Sequence, residues 1–321
     1  PDGTPEEQQT YTETRRNFLA LMFCLMVGTA GLPHLLTRYY TSPTVAGARA
    51  SVGWSLFFIA LLYLSAPALA VLVKFEVMNN LVGSSFQDLP NWMAQWARVD
   101  AALLSVEDVN HDGIVQFGEI HLGADLIMLA TPELGGLPYV VSGLVAAGGL
   151  AAALSTADGL LLTISNALVR DLYFQARPRS TSPEQRVILS KFTLLAVALA
   201  AAFVAALKPS DILPLVSASF SLAASAFVPV MALGIFWRGT TRQGAVVGML
   251  CGLGVAVYYM LSHVPALQAI LPAWLLADGL WFAIQPVSAG VFGVPAGLIS
   301  AVLVSWITRP PPALPPVRLE M

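Results

Sequence analysis

The chain has 321 residues, of which 56% are hydrophobic and 11% charged, and a formal net charge of -3. With a mean hydropathy of +0.71, that composition excludes an ordinary soluble domain and points to long transmembrane helices. The weakly negative balance argues against a nucleic-acid partner, and the two cysteines, Cys24 and Cys251, lie inside apolar runs, which argues against a disulfide framework or a zinc site.

The first 16 residues are polar and acidic and read as an outer loop segment rather than a natural amino terminus. Seven apolar stretches follow, near 17–36, 52–74, 138–167, 187–207, 212–236, 243–262 and 286–307. Each is close to the roughly 20 residues that cross a hydrocarbon core as a helix. The first span ends in GTAGLPHLLTRYYT, where Gly28, Gly31 and Pro33 are expected to weaken or break the helix. Interrupted helices free backbone groups to act as ligands, so Gly28, Gly31 and Pro33 are candidate substrate-binding positions. The competing reading is an ordinary proline kink, with His34 a packing residue and Arg38 a cytoplasmic anchor.

Residues 75–137 form a connection too long to lack structure of its own. Within it, 88–107 reads as a short amphipathic helix with Trp92, Trp96 and Leu103 on one side. DVNHDGIVQFGE, 108–119, satisfies the pattern D-x-[DN]-x-[DN]-G-x5-E of a calcium-binding loop. Asp108, Asn110 and Asp112 would give side-chain oxygens, Ile114 a backbone carbonyl, Gln116 a side chain or bridging water, and Glu119 a bidentate carboxylate. The alternative is a solvated acidic loop rich in Asx turns.

The third span is long and rich in Gly and Ala, which lets neighbouring helices approach closely. Ala152, Ser155 and Thr156 share one face at i, i+3 and i+4. Two hydroxyls and a carbonyl there offer hard oxygen ligands to a small alkali cation, although Ser and Thr also serve as hydrogen-bonding glue between helices. Asp158 lies deep in the same span. A carboxylate in that setting is a functional candidate, whether as ion ligand, proton carrier or partner of a buried cation; solvation by an aqueous cavity is the bland alternative.

The stretch 266–284 is apolar but carries Pro272 and Asp278, and reads as a re-entrant or interfacial helix with Trp274 and Trp281 at the headgroup level. An eighth span is the other reading. The Pro-rich end, 308–321, reads as an unstructured tail. Arg38, Arg49, Arg170, Arg177, Arg179, Arg186, Lys191, Arg238, Arg242, Arg309 and Arg318 fall on one side of this topology. Positive charge marks the cytoplasm, so the carboxy terminus is expected inside and the amino terminus outside. No phosphate-binding Gly-rich loop, HExxH pattern or nucleophile elbow is present, and no enzyme reaction is expected.

Three stretches together carry a resemblance. GTAGLPHLLTRYYT (28–41), ALSTADGLLLTISNALVRDLY (153–173) and GIFWRGTTRQGAVVGMLCG (234–252) resemble segments of the sodium/solute symporter family, in its cation/acetate (monocarboxylate) permease branch. The similarity runs from about residue 17 to 260. It implies an all-α membrane protein with the LeuT-type inverted-repeat fold, of which this chain holds the second half. It also implies symport, coupled to sodium or protons, of a small organic anion such as acetate, in a bacterial inner membrane. By position, the resemblance puts the Ala152 carbonyl, Ser155 and Thr156 on the family's sodium site. Asp158 falls where relatives with a second sodium carry a hydroxyl, a departure that leaves the coupling ion open. The first repeat, which would complete both sites, is expected from outside these residues. A different class of function is a non-transporting membrane subunit, sensor or relic with a calcium-binding outer loop.

Overall fold

The computed structural model describes residues 3–39, 42–123, 126–174, 183–208, 210–269, 272, 276 and 279–308. The Pro-rich tail, Trp274 and Asp278 lie outside them. Among the described residues, six helices are long and apolar enough to cross a membrane: Val45–Leu81, Tyr139–Tyr173, Glu184–Ala206, Ile212–Phe236, Arg242–Ser262 and Pro286–Thr308. This is a multi-pass, mostly helical membrane architecture, as a lipid-facing backbone requires.

The chain divides into two compact units. One unit joins the first 37 residues to the stretch from Ala205 onward. Helix α1 (Pro5–Gly31) starts at a capping box, in which the Thr4 side chain accepts from the Glu7 amide and Glu7 reaches back to the Thr4 amide. The helix is polar as far as Arg16 and apolar only from Asn17 on. The span expected at 17–36 is therefore corrected. Its helix ends at Gly31, Leu32 turns extended (φ -70°, ψ 117°), and a short helix α2 (Pro33–Tyr39) restarts at the proline. The apolar half of α1 is thus shorter than a full span, and seven expected spans become six helices that meet the length and composition.

Helix α8 is Ile212–Phe236, α9 is Arg242–Ser262, α10 is the single turn Pro265–Gln268, and α11 is Gly290–Thr308. In this unit α1 packs against α8 and touches α11, and α8, α9 and α11 pack closely on one another. The packing depends on small residues. A Cβ added to Gly248 would lie 2.6 Å from the Ala301 side chain and 3.0 Å from the Gly297 carbonyl. A Cβ on Gly252 would collide with the Ser225 carbonyl and one on Gly293 with the Ser225 side chain. Close backbone approach is the route to helix association in lipid, where no hydrophobic force separates helix from solvent.

The helix expected over 266–284 falls in part on 270, 271, 273–275, 277 and 278, which lie outside the described residues. Between 279 and 288 the chain forms only tight turns, Trp281–Ala283 and Pro286–Ser288, so a helix does not reach 284. Phe282 and Ala283 adopt positive φ (54° and 58°), which a helix cannot contain. Prolines and Gly279 punctuate the stretch, and side-chain bonds replace the helical ladder. The Tyr259 hydroxyl donates to the Ile284 carbonyl (2.6 Å) and accepts from the Trp281 amide (3.0 Å). Asn17 donates to the Ala283 carbonyl and accepts from the Gln285 amide. Trp281 packs against Tyr259 and Phe292, with ring centroids 4.7 and 5.2 Å away.

The second unit, Arg38–Val204, contains α3 (Val45–Glu76, extended by a π-helical turn to Leu81), α4 (Asn91–Val99) and a two-stranded antiparallel hairpin, β1 (Leu104–Val106) with β2 (Ile120–Leu122). Helix α5 (Ile127–Leu134) follows, then α6 (Tyr139–Asn166, continued π-helically to Phe174) and α7 (Pro183–Ala206). The connection from 75 to 137 carries a small core of its own: Val77, Leu81, Met93, Leu104, Leu126 and Ala130 are buried together, with Trp92, Trp96 and Leu103 packed against them. The Trp96 indole donates to Glu133 across 2.9 Å, which ties α4 to α5.

The glycine contacts give a prediction. Gly252→Leu forces α9 away from the Ser225 backbone, which has no flexible end to move aside. The expected loss is about 1–3 kcal/mol of stability, read as a lower thermal midpoint of the detergent-solubilised protein. Gly254→Leu, at a position with open space around its Cβ, serves as control and should leave the midpoint nearly unchanged.

Candidate functional site

Helix α6 carries the candidate cation ligands. Ala152, Ser155, Thr156 and Asp158 are all exposed, each on the helix that runs unbroken through this region. The Thr156 hydroxyl donates to the Ala152 carbonyl (3.2 Å), so these two oxygens are already adjacent. Among the described residues, neither the Ser155 hydroxyl nor the Asp158 carboxylate has a hydrogen bond or ion pair, unlike the Thr163 hydroxyl one turn further on, which donates to Gly159. The structure thus brings the Ala152 carbonyl, Ser155 and Thr156 onto one open face, with Asp158 a turn below. A face of this kind offers hard oxygens and, from Asp158, a formal charge.

Gly28, Gly31 and Pro33, the candidate substrate positions, sit at the end of α1 within the first unit. A Cβ on Gly28 would approach the Phe220 carbonyl to 2.5 Å, and one on Gly31 would lie 2.9 Å from both the Ala223 carbonyl and the Val228 side chain. Both glycines therefore serve the contact with α8. The backbone opens one residue later than Gly31, at Leu32, whose carbonyl then accepts from the Leu35 and Leu36 amides at the start of α2.

The loop 108–119 folds as a closely bonded turn between β1 and β2. Gly113 adopts φ 72°, a left-handed conformation that suits glycine. The Asp108 carboxylate accepts from the Gly113 amide (3.0 Å), while its other oxygen is buried without a hydrogen-bond partner. Asp112 accepts from the Ile114 amide and from the Asn110 and Gln116 side chains. Glu119 is buried and caps the Val109 and Gln116 amides, each at 3.0 Å. Val115 is fully buried, and it exchanges backbone bonds with Gly83 and Ser84. Among the described residues no three His, Cys, Asp or Glu side chains gather to share a metal ion. The oxygens of Asn110, Gln116 and the Ile114 carbonyl lie outside that residue set.

A feature the sequence reading missed lies at the far end of α6. A cleft of about 510 Å³ opens between the π-helical end of α6 and the start of α7, lined by Arg170, Arg186 and Lys191 among apolar side chains. These cations were legible in the sequence, but only as topology signals. The pairing of the two helix ends was not.

The turn chemistry at Asp112 yields a pH prediction. The Ile114 amide first, then the Asn110 side chain, hold its carboxyl below the ordinary carboxylate range, against desolvation, which outweighs the further help of the Gln116 bond. A lowered pKa in the folded loop means that the ordering is present above the unfolded value and is lost as pH falls through the lowered one. Amide exchange at Ile114, corrected for intrinsic rates, should stay protected where a free aspartate is half protonated and lose protection only below that pH. Asp112→Ala should remove the protection at neutral pH.

Comparison with known proteins gives a consistent set of matches. The model of the sodium:solute symporter family matches residues 129–252. The chain is 54% identical over 308 residues to an uncharacterized symporter of Cupriavidus necator, covering 96% of this chain and 44% of that protein. It is 27% identical over 300 residues to a monocarboxylic acid transporter of Corynebacterium glutamicum, covering 92% of this chain and 47% of that one. It is 31% identical over 181 residues to a high-affinity proline transporter of Bacillus subtilis, covering 56% of this chain and 34% of that one. The chain spans less than half the length of these curated relatives.

Proposed function

Because the chain belongs to the sodium:solute symporter family, we propose that it contributes the second repeat of a LeuT-type transporter that couples the uptake of a small organic anion, a monocarboxylate such as acetate, to sodium or protons. The observation that carries this reading is the open oxygen face of α6. The Ala152 carbonyl and the Ser155 and Thr156 hydroxyls are exposed within one turn of a membrane-length helix, and Ser155 has no partner among the described residues. A polar group left unpaired in hydrocarbon is costly, so such a face calls for a ligand or a partner helix. A cation held between α6 and the first repeat meets that requirement. The hydroxyls and the carbonyl replace part of its water shell, and Asp158 supplies negative charge or takes up a proton.

The organic anion is held near Gly28–Pro33. Gly28 and Gly31 lock the end of α1 against α8, and the extended Leu32 leaves backbone groups open where the chain restarts at Pro33. The reading of the substrate as a monocarboxylate is supported by the match to the monocarboxylic acid transporter of Corynebacterium glutamicum, which extends over 92% of this chain, against 56% for the proline transporter. Clustering of basic residues on one side of the topology supports an inner-membrane protein with its carboxy terminus in the cytoplasm.

Loss of one ligand oxygen is worth on the order of tenfold in cation affinity, or about 1.4 kcal/mol. In the complete transporter, reconstituted in proteoliposomes, Ser155→Ala and Thr156→Ala are each expected to raise the cation concentration needed for half-maximal acetate uptake by about that factor. Unchanged dependence on sodium and on pH in both variants rejects the site. Asp158→Asn separates the coupling ions: proton-driven uptake is abolished, whereas sodium-driven uptake survives with weaker affinity.

A second reading concerns the loop 108–119, and the buried, unpaired Asp108 oxygen favours it. We infer that Asp108, Asn110, Asp112, Ile114, Gln116 and Glu119 bind calcium, with the Asn110 and Gln116 amides rotating to turn their oxygens inward. The affinity expected for an extracellular structural site is about 0.1–1 mM. Calorimetric titration of the full chain with calcium chloride should show this binding and lose it in Glu119→Gln; a flat titration of the unaltered chain removes the reading.

A further inference from the structure

The cleft between the ends of α6 and α7 holds three cations that the transport reading does not use. Arg170 lies in the π-helical end of α6, and Arg186 and Lys191 lie on the first turns of α7. The two elements are braced where the Ser165 hydroxyl donates to the Ser190 carbonyl (3.0 Å). Among the described residues, no Asp or Glu lines the cleft, and Arg170 and Lys191 have no hydrogen bond or ion pair. The rest of the wall is largely apolar, with Val169, Val187 and Leu194 continuing from the cations along the two spans. Val169 is buried.

Both helices are long and apolar enough to cross a membrane, and the cations lie at the ends where the chain passes from one to the other. This is the depth of the lipid headgroups. Concentrated positive charge beside an apolar wall has a complement in the membrane itself: a phosphate with acyl chains attached. A free anion would use the charge and leave the wall unsatisfied, whereas a zwitterionic lipid would bring its own cation against the arginines. We propose that this cleft is a binding site for one anionic phospholipid, its phosphate held by Arg170, Arg186 and Lys191 and an acyl chain laid along Leu162, Val187 and Leu194. Basic pockets between spans favour anionic headgroups for the same electrostatic reason. The lipid would bridge α6 to α7 and so steady the end of the helix that also carries Ser155 and Thr156.

The test is native mass spectrometry of the full chain, delipidated in detergent and titrated with phosphatidylglycerol or phosphatidylcholine. Phosphatidylglycerol is expected to be retained preferentially, with affinity falling about fivefold for each cation removed in Arg170→Ala and Lys191→Ala and more in the double variant. Arg170→Lys, which keeps the charge, should hold the lipid and guards against a misfolded double variant. Arg15→Ala with Arg16→Ala, cations remote in sequence, should change nothing. Equal retention of the two lipids, or undiminished phosphatidylglycerol binding in the double variant, overturns the proposal. So does displacement of the lipid by millimolar inorganic phosphate, which would make the cleft a site for a free anion.

Discussion

A polar group carried into hydrocarbon must find a partner there, because water does not supply one. The first unit meets that constraint internally. Ser217 and Ser225 donate to carbonyls one turn back, Ser221 donates to the Val287 carbonyl, and Ser305 accepts from the Thr241 amide. The Ser221 and Ser305 bonds join different elements and so need close packing, and Gly248, Gly252, Gly293 and Gly297 let the backbones of α8, α9 and α11 nearly touch. Small residues and satisfied hydroxyls are thus two parts of one solution.

In the second unit, α6 does not meet the constraint by itself. Its hydroxyls at Ser155 and Thr156 and its carboxylate at Asp158 lie on an open face, and among the described residues only Thr156 of these three has a bond, to its own helix. In lipid such a helix is incomplete. The proposed function turns this shortfall to use: the oxygens that need a partner would become ligands for a cation once a second helix is brought up to them. Coupling would then follow, since a cation that binds only when two repeats approach in one arrangement stabilises that arrangement over the other.

Much of this was legible in the sequence, for physical reasons that differ by segment. The spans near 52–74, 212–236 and 243–262 were readable because long uncharged runs have few alternatives in a membrane. The end of the segment 266–284 was misread because apolar composition does not distinguish a helix from a string of turns; over 279–284 the positive φ of Gly279 and the capture of Trp281 by Tyr259 decided it. The span at 17–36 was overextended because the break falls at Leu32, between the glycines and Pro33. Gly28 and Gly31 signalled a special backbone, but the sequence could not show that α8 lies against them. The loop 108–119 was visible from its spacing, since each Asx residue there forms a local bond. The cleft at Arg170 was invisible because it depends on which helix ends meet.

A cation bound at the oxygen face of α6 should shield that face from a thiol reagent. Ala152→Cys leaves the Ala152 carbonyl and both hydroxyls in place, and Cys251, which is exposed, is replaced by serine, while Cys24 is buried. In the complete transporter, with other accessible thiols removed, sodium or a shift to lower pH should slow labelling of that cysteine relative to choline at neutral pH. Identical labelling rates under all three conditions would contradict the account.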